Sequence, residues 1–223
     1  MRSLKLYGLM LAVVLLAACG GTKSNESEVA EAVDSIATQG IMLPADLGAS
    51  TIHWVGSKVG VGDEHNGMIS LKSAELMLTG DQLTGGKFVI DMRTIANLDE
   101  KGESKHKLET HLKSADFFNV DSFPEAIFEI TSVESAPQDT NTHRITGNLT
   151  MRGVSKSVTF PAKVEMMGGK MVAKANFAID RTLWNVMYSS DRNEGWKKTE
   201  AKWKDKLISN DIKIQLTLVA NKG

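Results

Sequence analysis

The sequence predicts an all-β fold built from antiparallel strands, and two observations carry this prediction. From about residue 50 onward, apolar and polar residues alternate with a period of two over many short segments. Glycine-containing turn signals separate the segments, and Gly168-Gly169 is typical of a two-residue hairpin loop. At least eight such segments are present. Eight antiparallel strands with one apolar face each can close into a barrel or pack as two sheets, and the alternation fits either arrangement.

Each predicted strand carries its apolar side chains on one face. The last segment is the clearest example, because Lys213, Gln215 and Thr217 lie between its apolar residues. In chain order the apolar faces comprise Ile52 and Trp54; Ile69 and Leu71; Leu76 and Leu78; Phe88, Ile90 and Met92; Ala126, Phe128 and Ile130; Ile145, Leu149 and Met151; Val158, Phe160, Ala162 and Val164; Met171, Ala173, Ala175, Phe177 and Ile179; and Ile212, Ile214, Leu216 and Leu218.

Two stretches interrupt the alternation. Residues 103–118 place Leu108, Leu112 and Ala115 on one stripe, which predicts a short helix lying on the sheet or capping one end. Residues 194–206 are rich in lysine and carry two tryptophans, Trp196 and Trp203, on one face if the segment is helical. This second segment is either a solvated loop or helix with two anchoring indoles, or a lip over a barrel mouth that touches a membrane surface or an anionic head group.

The first residues have the pattern of a targeting segment. Arg2 and Lys5 precede an apolar run that is shorter than the ~20 residues of a membrane-spanning helix, so residues 1–18 are predicted to be a signal peptide. Leu16-Ala17-Ala18-Cys19 resembles the bacterial lipobox, which implies cleavage before Cys19 and acylation of that residue. Cys19 is the only cysteine, so no disulfide forms within the chain. The alternative is a chance cysteine in an ordinary signal peptide.

The segment after the cysteine is polar and acidic. We therefore expect residues 19–48 to be a lipidated cysteine followed by a flexible linker, and residues 49–221 to form the barrel domain. Removing residues 1–18 takes away two basic residues and no acid, so the net charge changes from −1 to −3. A nucleic-acid-binding protein would be basic with a clustered patch, and we expect no such partner. Gly20 lacks the acidic character of an inner-membrane retention signal, which favours the periplasmic side of the outer membrane.

Four stretches carry a resemblance to a known family. The first holds Leu112, Ser114, Asp116, Phe117, Phe118, Pro124 and Phe128. The second holds Gly147, Leu149, Thr150, Arg152, Gly153, Val154, Ser155, Lys156 and Val158. The third and fourth are "FAIDRTLWNV" and "LISNDIKIQLTL". Together they resemble the YceI-like family, in order, over roughly residues 50 to 220. The chain departs from the common pattern at Leu183-Trp184-Asn185 and in the tryptophan- and lysine-rich insert.

The resemblance implies an antiparallel lipocalin-like barrel of about eight strands with one or two short helices. It also implies an apolar interior that binds a long isoprenoid, such as a polyprenyl quinone or polyprenyl lipid, as ligand. A chain without hydrogen-bonding groups requires apolar walls. The candidate wall consists of Trp54, Phe88, Ile90, Phe128, Ile130, Leu149, Phe160, Phe177, Ile179 and Leu216. Candidate contacts at the mouth or with a head group are Arg152, Arg181, Trp184, Trp196 and Trp203.

The sequence does not favour an enzyme. It has no GxSxG or HExxH motif, and "TGDQLTGGKF" lacks the lysine of a phosphate loop. His106 and His111 are five residues apart, which turns them away from each other on a helix. Asp116 is predicted to be a turn or cap residue rather than a catalytic acid. We expect no metal and no cofactor other than a bound isoprenoid or quinone.

The expected function is storage or transport of an isoprenoid lipid in the cell envelope. A structural or stress-related adhesion module, with a barrel filled by its own side chains, is the alternative. A weak enzyme acting on a bound lipid is a third reading, and it would require a polar cluster at the closed end of the cavity. A homodimer through a strand edge or the Trp196 and Trp203 face stays open.

Overall fold

The computed structural model describes residues 27–34, 40–60, 62–138, 140–194 and 206–222. These residues form ten strands, a helix between the fifth and sixth strands, and a 3₁₀ helix after the ninth. The strands are β1 (Glu28–Glu31), β2 (Ile41–Pro44), β3 (Thr51–Lys58), β4 (Glu64–Thr79), β5 (Gln82–Asn97), β6 (Glu125–Gln138), β7 (Asn141–Met151), β8 (Val154–Met167), β9 (Lys170–Asp180) and β10 (Ile208–Asn221). The helix is α1 (Gly102–Lys113), and the 3₁₀ helix is Arg181–Trp184.

Eight strands close into an antiparallel barrel. The order runs β8-β7-β6-β5-β4-β3-β10-β9, and pairing between β8 and β9 completes the circle. The prediction of an all-β antiparallel fold is therefore confirmed, and the barrel is the arrangement adopted. Two predicted strands, around Ile69 and around Leu76, belong to one long strand, because β4 continues through irregularities in its pairing with β5.

The barrel has two distinct ends. At the hairpin end lie the tight turns Gly80–Asp81 and Gly168–Gly169. Both glycines of the second turn have positive φ, 58° and 78°, which is the conformation that the predicted two-residue loop requires. At the helix end lie α1, the 3₁₀ helix and the turns joining β3 to β4 and β7 to β8.

The two shortest strands fill gaps where barrel strands diverge. Strand β8 pairs with β9 only over Ala162–Met167, and β1 pairs with β8 over Lys156–Thr159. In the same way β2 pairs with the part of β4 that follows its pairing with β3. Both short strands lie within the predicted flexible linker, residues 19–48, and the structure corrects that prediction for these residues. Unpaired backbone groups of the neighbouring strands supply hydrogen-bond partners that a sequence pattern does not reveal.

Helix α1 is shorter than predicted. It spans Gly102–Lys113 rather than residues 103–118, and Ser114 ends it by donating its hydroxyl to the carbonyl of His111 at 2.8 Å. Ala115 therefore lies outside the helix, whereas Leu108 and Leu112 face the barrel as the stripe predicted. The turn placed at Asp116 is present, since its N–H donates to the Ser114 hydroxyl at 3.3 Å.

Several sequence features lie outside the described residues. They are the signal-peptide segment 1–18, Cys19, and both tryptophans of the 194–206 segment, Trp196 and Trp203. In the described part of the chain, no helix combines the length and the apolar character needed to cross a membrane.

Candidate functional site

An elongated apolar cavity occupies the inside of the barrel. Its volume is about 260 Å³, and its lining draws on all eight barrel strands, α1 and the segment after it. All ten side chains of the candidate wall, from Trp54 to Leu216, line it. The period-two pattern located them because alternate residues of a barrel strand point inward.

Small side chains leave the space open. Ala126, Ala162 and Ala175 line the cavity and are almost completely buried. Ala162 and Ala175 are paired across β8 and β9, so two adjacent inward positions carry only a methyl group. The cavity therefore depends on particular small residues as much as on apolar character.

Four phenylalanines form an aromatic belt across the lining. Phe88 and Phe128 have ring centroids 6.1 Å apart, Phe128 and Phe160 5.7 Å, and Phe160 and Phe177 4.1 Å. The last two rings are nearly parallel, at 4°, and they join β8 to β9 where these strands begin to part. Gly147 makes room for the belt, because a Cβ there would lie 2.4 Å from the Phe128 Cζ.

The hairpin end of the cavity is closed. Leu78, Met171 and Ala220 are buried at 2%, 1% and 0% exposure, yet none of them lines the cavity. On β4, β9 and β10 they lie two residues nearer the hairpin end than the lining residues Leu76, Ala173 and Leu218. A ligand chain consequently has its dead end here.

The helix end of the cavity carries polar groups. A polar collar consists of Ser57 and Lys58 at the end of β3, Asp63 just before β4, and His65 at the start of β4. A hydrogen bond from the Lys58 ammonium, together with its charge, holds the pKa of the Asp63 carboxyl below its usual value. The collar is therefore locally charge-balanced.

Arg181 lies beside the collar and is 1% exposed. Its Nε donates to the carbonyl of Ser209 at 3.0 Å, Nη1 to Val186 at 2.6 Å and Nη2 to Ile208 at 3.1 Å. The guanidinium also lies 5.7 Å from the centroid of the Phe117 ring. Burial lowers the pKa of Arg181 to about 10, so it stays protonated at neutral pH. Of the candidate mouth residues that the structure describes, it is the one that lines the cavity.

Arg152 and Trp184 do not line the cavity, contrary to the expectation. Arg152 sits in the turn between β7 and β8 with φ of 49°, and its guanidinium donates to the carbonyls of Ala115 and Phe117. Trp184 is 0% exposed and donates its indole N–H to the Leu149 carbonyl at 2.9 Å. The 3₁₀ helix turns Trp184 into the core. Through these hydrogen bonds Arg152 and Trp184 hold together the segments that close the helix end.

Sequence reasoning missed part of the lining. Leu108 and Leu112 of α1 and the following Phe117 and Phe118 close over the helix end and line the cavity. The helical stripe predicted that α1 packs on the barrel, which was the available signal. Its position over the cavity rather than on the outer wall depends on the tertiary path of the chain.

Among the described residues, one group of metal-type side chains occurs at this end. His65, Asp99 and Glu100 bring ligand atoms within 4.8 Å of one another. Asp99 already accepts hydrogen bonds from His65 at 2.8 Å, from the Asn66 N–H at 2.8 Å and from the Asn97 amide at 2.6 Å. These bonds tie the start of β4 to the end of β5, and we interpret the group as structural.

Comparison with known proteins agrees with this architecture. The sequence matches the profile of the YceI-like domain over residues 44–220. The chain belongs to the YceI-like family. Curated YceI-like relatives include a UPF0312 protein of Azotobacter vinelandii, 42% identical over 77 residues, which are 34% of this chain and 37% of the relative. Protein YceI of Salmonella arizonae is 48% identical over 58 residues, 26% of this chain and 29% of that protein. The chain thus spans about a third of the length of these curated relatives.

Solved YceI-like structures share the fold. BcnA of Burkholderia cenocepacia superposes with a TM-score of 0.60 at 21% identity, covering 79% of this chain and 99% of BcnA. A domain from Saccharophagus degradans, described as polyisoprenoid binding and implicated in plant cell wall breakdown, has a TM-score of 0.58 at 12% identity. That match covers 83% of this chain and 100% of the domain. At these identities the likeness establishes the barrel architecture.

Proposed function

We propose that this YceI-like protein binds a long apolar lipid, an isoprenoid quinone or polyprenyl lipid, inside its barrel and shields it from water for storage or transport in the cell envelope. The observation that carries the proposal is the cavity of about 260 Å³, closed at the hairpin end and lined by apolar side chains. The Saccharophagus degradans domain is described as polyisoprenoid binding, and we extend that ligand class to this chain.

The chemistry of such a ligand suits the lining. A polyprenyl chain has no hydrogen-bonding groups along its length, so it gains affinity from apolar burial, about 0.8 kcal/mol per CH₂. Its head group is the polar part and would lie at the helix end, where the polar collar and Arg181 are found. We propose no catalytic step, metal or further cofactor.

The proposed location is the periplasmic side of the outer membrane, through an acylated Cys19. Multiple acyl chains on one cysteine would anchor the protein stably. Cys19 and Ser27, the first described residue, are separated by only eight residue steps, which reach at most ~3.6 Å each. This short connection supports a barrel held close to the membrane surface, where it can exchange lipid. A homodimer is a further proposal that the same preparation can test by its mass.

The test is native mass spectrometry of the full chain purified from cell envelopes, followed by organic extraction. We expect a stoichiometric isoprenoid, and an acylated N-terminal cysteine in the released chain. Phe128→Arg places a charge in the aromatic belt and should abolish lipid retention. Met167→Arg is the matched control, because Met167 is 58% exposed at the end of β8.

A protein of bare chain mass that takes up no added quinone or polyprenol would refute lipid binding. It would favour the adhesion module with a filled barrel. Thermal unfolding of both variants shows whether Phe128→Arg is folded. Loss of lipid from a folded variant supports the proposal, and retention of lipid by it contradicts the assigned cavity.

A further inference from the structure

The charges that line the cavity are unequally compensated. In the polar collar, Lys58 is paired with Asp63, and His65 donates to the Asp99 carboxylate at 2.8 Å. Lys174 also contributes to the lining, but its side chain is exposed to solvent. Arg181 differs from these groups, because it is buried at 1% exposure.

The hydrogen bonds of Arg181 fix its position, and none of them is to a carboxylate. Three carbonyl oxygens accept from its three nitrogens, whereas a guanidinium carries five N–H groups. Within the described residues, Arg181 makes no ion pair with a carboxylate. Asp180 acts on it through space but is paired with Arg192 at 2.6 Å, and Asp191 accepts from the Asn210 amide at 2.8 Å.

A buried cation of this kind selects the chemistry of its neighbour. Removing a charge from water is costly unless an opposite charge or a hydrogen-bond acceptor replaces the lost hydration. In the described part of the chain, the carboxylates of Asp63, Asp180 and Asp191 are engaged by other partners, so an acceptor on the ligand would fill this role. A cationic head would instead be repelled in a medium of low dielectric constant.

We propose that Arg181 binds the head group of the cavity ligand, and that this head group is an oxygen acceptor: an anionic carboxylate or phosphate binds most tightly, a neutral carbonyl or hydroxyl less tightly, and an amine least. This inference rests on the proposed lipid-binding function and adds the class of head group to it. Because the carbonyls of Ser209, Val186 and Ile208 hold the guanidinium in place, the acceptor site is preorganised.

The test compares three probes with one identical chain: geranylgeranoic acid, geranylgeraniol and geranylgeranylamine. Each binds in competition with the others to the full-length protein at pH 7.5, and native mass spectrometry measures the bound fractions. We expect the acid to bind at least about tenfold more tightly than the alcohol, as a charge-assisted hydrogen bond predicts, and the amine to bind most weakly. Equal affinities for acid and amine would overturn the inference while leaving lipid binding intact.

Arg181→Met and Arg152→Met form a matched pair of variants. Both remove an arginine that holds backbone carbonyls at the helix end, but only Arg181 lines the cavity. The readout is the ratio of acid to alcohol bound within one variant, which is insensitive to a partly unfolded fraction. We expect the ratio to fall to about one in Arg181→Met and to keep its wild-type value in Arg152→Met.

Other outcomes separate the two proposals. An unchanged ratio in Arg181→Met, or an equal loss in both variants, would assign Arg181 a structural role only and overturn the inference. Arg181→Lys keeps the charge but not the planar fork, and we expect it to retain part of the preference for the acid. If the wild-type protein binds none of the three probes, the proposed function itself fails, and the head-group inference fails with it.

Discussion

Filling the cavity from the barrel wall should stabilise the protein and abolish ligand binding. Ala162 is 3% exposed, lines the cavity and is paired with Ala175 across β8 and β9. Ala162→Leu adds three carbon atoms, each contributing about 0.8 kcal/mol on burial, or roughly 2.4 kcal/mol in all. Ordering the leucine side chain costs about 0.5–1 kcal/mol. The net gain is therefore about 1.5–2 kcal/mol, provided that the new side chain enters open space.

The assay is thermal unfolding of lipid-free protein, with isoprenoid uptake measured on the same samples. For a domain of this size the gain corresponds to an increase in Tm of about 3–8 °C. Ala220→Leu is the control, because Ala220 is 0% exposed and lies nearer the hairpin end than the lining residue Leu218. Overpacking there should cost about 1–3 kcal/mol.

The comparison of these two alanines decides between an open and a filled interior. If Ala162→Leu destabilises the protein as much as Ala220→Leu does, the space beside Ala162 is already occupied, and the reasoning from the cavity is refuted. That result would support the adhesion module. A stabilised Ala162→Leu protein that still takes up isoprenoid would instead show that lipid binds elsewhere on the molecule.

Three further predictions concern stability. Trp184→Phe leaves the Leu149 carbonyl without its buried donor, which should cost about 1–3 kcal/mol in urea unfolding; an unchanged midpoint would contradict its fastening role. Burial lowers the pKa of His143 below its usual 6.5, so the folded state favours the neutral ring and the stability that this provides is lost as the pH falls below 6.5. Tm measured from pH 7.5 to 5.5 should decrease less in His143→Gln than in the wild type, and parallel curves would exclude this contribution. Glu28→Ala and Glu31→Ala each remove an exposed ion pair and should change the free energy of unfolding by less than about 1 kcal/mol. A larger loss would show that charge rather than strand pairing holds β1 in place.

The sequence allowed the barrel and its inner face to be predicted for a simple physical reason. In a closed sheet one face of every strand is enclosed, so the alternation that marks Phe88, Phe128 and Phe177 as apolar also marks them as inward-facing. The alternation cannot show whether the enclosed space is filled. That depends on summed side-chain volumes, and here on methyl-sized residues such as Ala162 and Ala175.

The features that sequence reasoning missed depend on tertiary contacts. The Glu28–Glu31 segment is polar and becomes a strand because β8 and β9 part and leave backbone groups unpaired. The sequence predicts Trp184 at the mouth because it departs from the family pattern. The left-handed conformation of Asn185, φ 60°, ends the 3₁₀ helix just after Trp184, which is fully buried. Asparagine is favoured in that conformation, but the local sequence does not show that the turn carries Trp184 into the core.

Some motif residues hold the YceI-like fold together, and other residues would select the ligand. Arg152 holds the carbonyls of Ala115 and Phe117, and Trp184 holds that of Leu149, so these residues fasten the helix end. Other motif residues, such as Phe128 and Leu149, line the cavity, whereas the small residue Ala175 lies outside the first two motifs. Structures at 12% and 21% identity share this barrel. We expect the ligand of each family member to depend on its wall and collar residues. In this chain, exchanging the Lys58 and Asp63 pair for apolar residues should alter head-group preference without unfolding the barrel.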